Sequence, residues 1–304
     1  MTRPDSTHQG GGARARTAAR LAWWLCAVSL AMMAARLVVV VVVRAGTTAL
    51  PPGFPPPVVQ AIEVIGFLGA PILGAVIAAH RPQNPYGWLW CAIGLDLGVL
   101  FLAVGYGAYA LVVEPGALPG GVAAAWVSSV LTFLVLGLLP FVFLLFPDGR
   151  LPAGRWRPVA WAAGLVGVAL VALVAVEPGP IYDFPFVDNP VRLAGAPGEL
   201  VEWLFVSEIA NAVVLAFFVT LTLSAVSLAV RFRRASGQER QQLKWLAVAS
   251  VPVLGFFFAL LLGPKWENRR LVDAVAIALL FSAMYAAIGI ARSSSTACTT
   301  STCC

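Results

Sequence analysis

Three ionisable side chains, Arg36, Glu63 and Asp96, fall inside long apolar stretches of the chain. A charge held in hydrocarbon is costly, so each needs a partner or a task. Arg36 lies seven residues from the outer end of one stretch, and Glu63 five residues from the outer end of the next. At 1.5 Å rise per residue both sit about 8–10 Å below the same surface, within reach of each other across antiparallel helices. Such a pair either fixes two helices in register or leaves Arg36 reaching outward along its own stem. Asp96 has no partner at its depth. It sits within Gly94-Leu95-Asp96-Leu97-Gly98, a small-xxx-small spacing that lets helices approach closely. A carboxyl there serves as a proton or cation site, or as a hydrogen-bond partner of another helix.

Other chemistry is sparse. The two histidines are His8, near the start, and His80, at the end of an apolar stretch. No HExxH or GxSxG pattern and no Gly-rich phosphate loop is present. Cys26 and Cys91 fall in apolar runs and read as packing residues, and Cys298, Cys303 and Cys304 have no matching ligands. No catalytic centre, metal or cofactor is expected. Glu208 and Asp273 lie near the outer ends of their stretches and are expected to reach headgroups.

The elements that must position these residues follow from composition. Of 304 residues 60% are hydrophobic and 11% charged, with a mean hydropathy of +0.87. Soluble domains carry about 25% charged residues, so a soluble enzyme and a disordered chain are both excluded. The fold class expected is all-α, a polytopic membrane helix bundle, since lipid cannot satisfy open backbone groups. Eight spans are read, at 21–43, 58–79, 87–113, 122–146, 159–176, 203–230, 243–262 and 271–291, the fifth being marginal in length. Residues 1–20 read as a disordered basic tail, 21–291 as the transmembrane domain and 292–304 as a separate tail. The first span exceeds the apolar core of a signal peptide, so no cleavage is expected.

Lys and Arg set the orientation. Arg44, Arg192, Lys265, Arg269 and Arg270 fall in outer loops and Arg36 within a span; the other fourteen of the 20 fall in inner segments. Both ends are therefore expected inside, and the net charge of +6 marks the inner face rather than a nucleic-acid surface. The largest outer loop, 177–202, carries Tyr182, Phe184 and Phe186 among prolines. Those aromatics suit the headgroup layer or a ligand cleft.

Three inner loops carry recognisable text. The first is HRPQNPYGW, with Arg81, Pro82, Asn84, Pro85, Gly87 and Trp88. The second is LFPDGRLPAGRWRP, with Pro147, Asp148, Gly149 and Arg150. The third is RFRRASGQERQQLKW, with Glu239, Arg240, Gln241, Gln242, Lys244 and Trp245. By composition alone they are turns with topogenic charge. Together, and in this order, they resemble the multi-span N-terminal sensor regions of certain bacterial two-component histidine kinases. The resemblance covers about residues 23–291. It implies an input module in the bacterial plasma membrane, working as a homodimer, whose last helix signals to a cytoplasmic kinase.

In that family a segment similar to ILKYRLYDIDVL follows the last helix, whereas here RSSSTACTTSTCC begins at Arg292. Read in the neighbouring frame, codons available for residues 293–303 allow Ile-Leu-Lys-Tyr followed by Arg-Leu-Tyr-Asp-Ile-Asp-Val. The tail is thus expected to be a frameshift product. Neither a phosphoacceptor helix nor an ATP-binding motif is readable, so no phosphotransfer by this chain is expected. The reading is a membrane-embedded sensor whose partners are the bilayer, a second copy and an unidentified small apolar or envelope-derived signal. The rival is a small-solute or ion transporter or channel using Asp96 and the Arg36/Glu63 pair. Pro71 and Pro252 interrupt spans as transporter helices are interrupted, but no repeat relates the halves.

Overall fold

The computed structural model describes residues 7–46, 56–146, 148–151, 154–191, 195–206, 208–234 and 236. Among the described residues eight α-helices run in order: α1 (Thr7–Gly46), α2 (Pro57–Phe67), α3 (Gly69–His80), α4 (Pro85–Ala108), α5 (Gly121–Leu145), α6 (Arg157–Val176), α7 (Ala196–Val206) and α8 (Ile209–Arg234). A π-type turn, Tyr109–Val113, extends α4, and a 3-10 turn, Gly154–Trp156, leads into α6. Among the described residues six helical stretches are long and apolar enough to cross a membrane: Arg14–Val43, Pro57–His80, Pro85–Val113, Gly121–Leu145, Gly154–Val176 and Ile209–Arg233. The spans read at 243–262 and 271–291, the tail 292–304, and Pro147, Glu239, Arg240, Gln241, Gln242, Lys244, Trp245 and Asp273 lie outside the described residues.

Local chemistry explains where helices start and break. Pro57 begins α2 and Pro85 begins α4, positions where a missing N–H costs nothing. The stretch read at 58–79 is divided at Leu68 into α2 and α3, because Pro71 has no N–H to donate to the carbonyl of Phe67, although Leu68 itself keeps right-handed helical dihedrals. The stretch read at 203–230 is also divided: Glu208 adopts φ +63° between α7 and α8, and its Oε2 accepts from Asn211 Nδ2 at 2.6 Å. Its carboxylate stands at the N-terminus of α8, where the helix dipole favours an anion. Pro140, by contrast, sits buried inside an unbroken α5. Helix α1 reaches back to Thr7, into the segment read as a disordered tail, and the fifth span lengthens to Gly154–Val176.

Helix α1 packs on α3 and α4, α4 on α5, and α5 on α6 and α8. In lipid such packing depends on close approach rather than on expulsion of water. A Cβ added at Gly74 would stand 2.5 Å from the Cys91 amide nitrogen, and one at Gly94 2.7 Å from Pro71 Cα. Trp90, Tyr86, Phe143 and Met33 fill the interior. Trp161, Leu165 and Val168 form a stripe on α6 at helical spacing that is at least 70% exposed, a surface suited to hydrocarbon.

The loop after α6 is a small antiparallel hairpin, β1 (Pro180–Ile181) and β2 (Phe184–Asp188). Asn189 ties it down, donating from Nδ2 to the carbonyls of Ala175 (3.2 Å) and Glu177 (3.1 Å). Trp126 Nε1, from α5, donates to the same Ala175 carbonyl at 2.9 Å. The bundle therefore has a hairpin end and, opposite it, an end formed by the turns after α3 and α5.

Candidate functional site: a polar latch and a three-loop cluster

At the hairpin end, Arg36 is carried into the bundle by an otherwise apolar turn of α1 and is 2% exposed. Its Nη2 donates to Gln60 Oε1 of α2, and Nη1 is buried without a hydrogen-bond acceptor among the described residues. Glu63, one turn along α2, and Asp183, at the tip of the hairpin, supply the opposing charge. Helix α4 closes the site: a Cβ at Gly105 would lie 3.3 Å from Arg36 Cδ, so only a glycine leaves full room for the stem.

Asp183 is placed by its neighbours. Its amide donates to Ser129 Oγ of α5 at 3.4 Å, and the next residue, Phe184, is fully buried. Phe184 packs so tightly that a Cβ at Gly107 would meet its Cζ at 2.9 Å. Val43, Ala108, Ala125 and Ile181 complete that plug. Of the three aromatics read for the loop, Phe184 is thus in the bundle and Tyr182 exposed, with the Tyr182 ring edge-on to Phe133. One guanidinium thus sits among α1, α2, α4 and the hairpin, and Ser129 in turn ties the hairpin to α5.

The pairing read for Arg36 and Glu63 by depth is present as an electrostatic relation, but the direct acceptor is Gln60. A neutral amide escapes a search for charges in spans, and Asp183 escapes it because it lies in a loop. Gln60 was findable as a polar group at the depth of Arg36; Asp183 was not, because a loop residue has no depth to count.

Asp96 stands apart from this latch. It is 9% exposed, and its Oδ2 has no hydrogen-bond partner among the described residues. The flanking glycines serve two different neighbours: Gly94 abuts Pro71 of α3, and Gly98 abuts Ser29 and Met32 of α1.

At the opposite end the first two loops meet, and Arg231, the first residue of the third, joins them. Asn84 caps α4 by accepting from the Tyr86 amide at 2.9 Å, and its own amide donates to the Arg81 carbonyl. Trp88 Nε1 donates to the Pro82 carbonyl at 2.8 Å, and Gly87 lets α4 approach the backbone of Ala78. Following Asp148 in the second loop, Gly149 turns at φ +71° and donates to the Leu145 carbonyl at 2.7 Å. It lies directly on Asn84 and on Pro85, whose Cδ would be 2.5 Å from an added Cβ. The third loop enters through Arg231 of α8. Its guanidinium donates to the carbonyls of Phe146, Leu144 (2.7 Å) and Arg150 (2.7 Å). The last carbonyls of a helix have no donor within it, and Arg231 supplies one from another helix.

His80 Nδ1 bonds the Val76 carbonyl of its own helix, and no group of three potential metal ligands lies together among the described residues. Glu177, at the end of α6, has a carboxyl pushed up from its ordinary value by burial beneath the hairpin. No family model, no curated protein and no solved structure matches the chain, so the family resemblance stands on the three loops.

Proposed function

We propose that the chain is the membrane-embedded signal-input module of a two-component histidine kinase, in a bacterial plasma membrane, with eight spans, both ends inside and a second copy as its partner. One observation supports this above others. Two of the loops that carry the resemblance are not independent turns; Gly149 of the second lies on Asn84 and Pro85 of the first, and Arg231 of α8, where the third begins, bonds the carbonyls of Leu144 and Arg150 beside them. Helix α8 leads into the basic connector, so a displacement of α5 at that end is handed to the segment next in line toward a kinase.

The hairpin end supplies the input side. The hairpin rests on α4 and α5 through Phe184 and Asp183, and on α1 and α2 through the latch at Arg36. A small apolar or envelope-derived molecule that lifts or seats the hairpin acts on all four helices. Ligand binding of that kind selects between two arrangements of the bundle. Phosphotransfer then belongs to a catalytic region on the inner side, not to the residues described.

The test joins residues 1–291 to the dimerisation and ATP-binding domains of an unrelated histidine kinase. The reading requires a membrane homodimer whose phosphorylation changes with lipid composition or added apolar compounds. A monomeric product with constant phosphorylation in every condition rejects it. One observation favours the transporter reading instead, namely the unpartnered Asp96 oxygen. Solute flux into proteoliposomes that is abolished by Asp96→Asn would replace the sensor with that alternative.

A further inference from the structure

By helix register, Asp96 of α4 and Leu136 of α5, whose carbonyl a proline frees, fall at one level near the middle of the bundle. Helices α4 and α5 run antiparallel in one register along their length. Tyr86 meets Phe146 with ring centroids 5.6 Å apart, and Gly107 approaches the amide of Ala125. Twenty-one residues separate the two contact points on each helix. Asp96 lies eleven residues before Gly107, about three full turns, and so on the same face of α4. Leu136 lies eleven residues after Ala125 and so on the matching face of α5. The two positions therefore stand opposite each other at one depth.

Leu136 is the residue whose carbonyl would accept from residue 140, and residue 140 is the buried Pro140. Proline has no N–H, so that helical bond is not made. Asp96 is the complementary case, a buried side-chain oxygen with no donor among the described residues. A carboxylate beside a carbonyl offers two acceptors and no hydrogen, and the missing hydrogen is one proton. An ionised carboxylate here lacks compensation: α5 carries no titratable side chain. On α1, Arg36 stands at the level of Gly105, nine residues and about 13 Å along the bundle. Glu63 of α2 belongs to that same latch, Cys26 of α1 neighbours Cys91, and His80 lies at the far end of α3. On α4 itself Tyr86 and Tyr106 lie near its two ends.

We propose that Asp96 is a proton-binding site in which the neutral carboxyl donates its hydrogen to the Leu136 carbonyl and clasps α4 to α5. Loss of the proton to water leaves a carboxylate facing a carbonyl oxygen, two acceptors that repel, and the clasp opens. The occupant is a proton, and the site requires neither the sensor nor the transporter reading.

Infrared difference spectroscopy of the full chain in lipid nanodiscs tests the site directly. A carboxylic-acid C=O band is expected that titrates with pH and is missing in Asp96→Asn. Pro140→Ala restores an N–H to Leu136, so the same band should remain but move to higher frequency as the acid loses its acceptor. Thermal unfolding of each variant establishes that it is folded. An Asp96-dependent acid band absent at every pH at which the protein stays folded overturns the proton site. A band unmoved by Pro140→Ala overturns the clasp to Leu136. Because neither readout involves a kinase or a solute, failure of the proton site is distinguishable from failure of the proposed function.

Discussion

Arg231, on the last turns of α8, donates from Nη2 to the carbonyl of Leu144 at the end of α5, a 2.7 Å bond between residues 87 positions apart. With its bonds to Phe146 and Arg150, it makes the end of one helix depend on a side chain from another.

Removing that side chain orphans several carbonyls at once. Hydrogen bonds to a charged group contribute about 1.5–3 kcal/mol each, reduced where water can replace them. Arg231→Ala should therefore destabilise the bundle by about 2–3 kcal/mol in thermal unfolding. Arg231→Lys should recover only part of this, since a single ammonium cannot reproduce the planar fork. An unchanged unfolding temperature for Arg231→Ala would remove Arg231 from the account.

Gly149 offers a sharper contrast. It needs a positive φ and has no room for a Cβ beside Asn84 and Pro85, whereas Gly154, a few residues on, has open space around it. A left-handed conformation costs an L-residue about 1–2 kcal/mol before any clash. Gly149→Ala should lower stability by at least that amount while Gly154→Ala stays near neutral. Equal effects at the two sites would mean that the second loop does not rest on the first.

The latch at Arg36 should behave as a buried charged group with one direct partner. Gln60→Leu leaves a guanidinium N–H without its acceptor and should destabilise by about 1.5–3 kcal/mol. The double variant Arg36→Met, Gln60→Leu should lose less than the sum of the two single losses, because once Arg36 is gone Gln60 has no guanidinium to accept from, while Glu63 and Asp183 lose their opposing charge either way. Additive losses in that double-mutant cycle would show that the two side chains are uncoupled.

Glu177 makes a prediction about pH. Burial raises its pKa in the folded protein, so the folded chain holds this proton more tightly than the unfolded chain. Stability from this group is full below the ordinary glutamate value of about 4.3 and declines as pH rises through the raised value. Glu177→Gln should accordingly raise the unfolding temperature at neutral pH and leave it nearly unchanged in acid. A benefit of equal size at both pH values would point away from ionisation as the cause.

Much of this was legible in the residues. Length and hydropathy locate the six apolar helical stretches, because lipid leaves the backbone little choice beyond helix. Depth alone set Arg36 beside Glu63. Breaks were harder to read: Pro71 was visible as an interruption, but the division at Glu208 depends on a backbone conformation that the side chain type does not announce. The hairpin was hidden because two strand residues facing five have no period to detect, and its burial rests on Gly107, which reads as an ordinary small residue in a helix. The meeting of the first two loops could not be read at all. Each has its own local turn chemistry, and only the antiparallel return of α4 and α5 brings Asn84 under Gly149.

The central claim is that α8 receives what happens to α5 through Arg231. The most direct measurement compares phosphorylation by the kinase chimera carrying residues 1–291 with that of its Arg231→Ala variant, in identical lipid and at matched amounts of folded dimer. The account predicts that Arg231→Ala fixes output at one level, so that lipid composition or added apolar compounds no longer change it. An Arg231→Ala chimera that responds as fully as the unaltered one would contradict it.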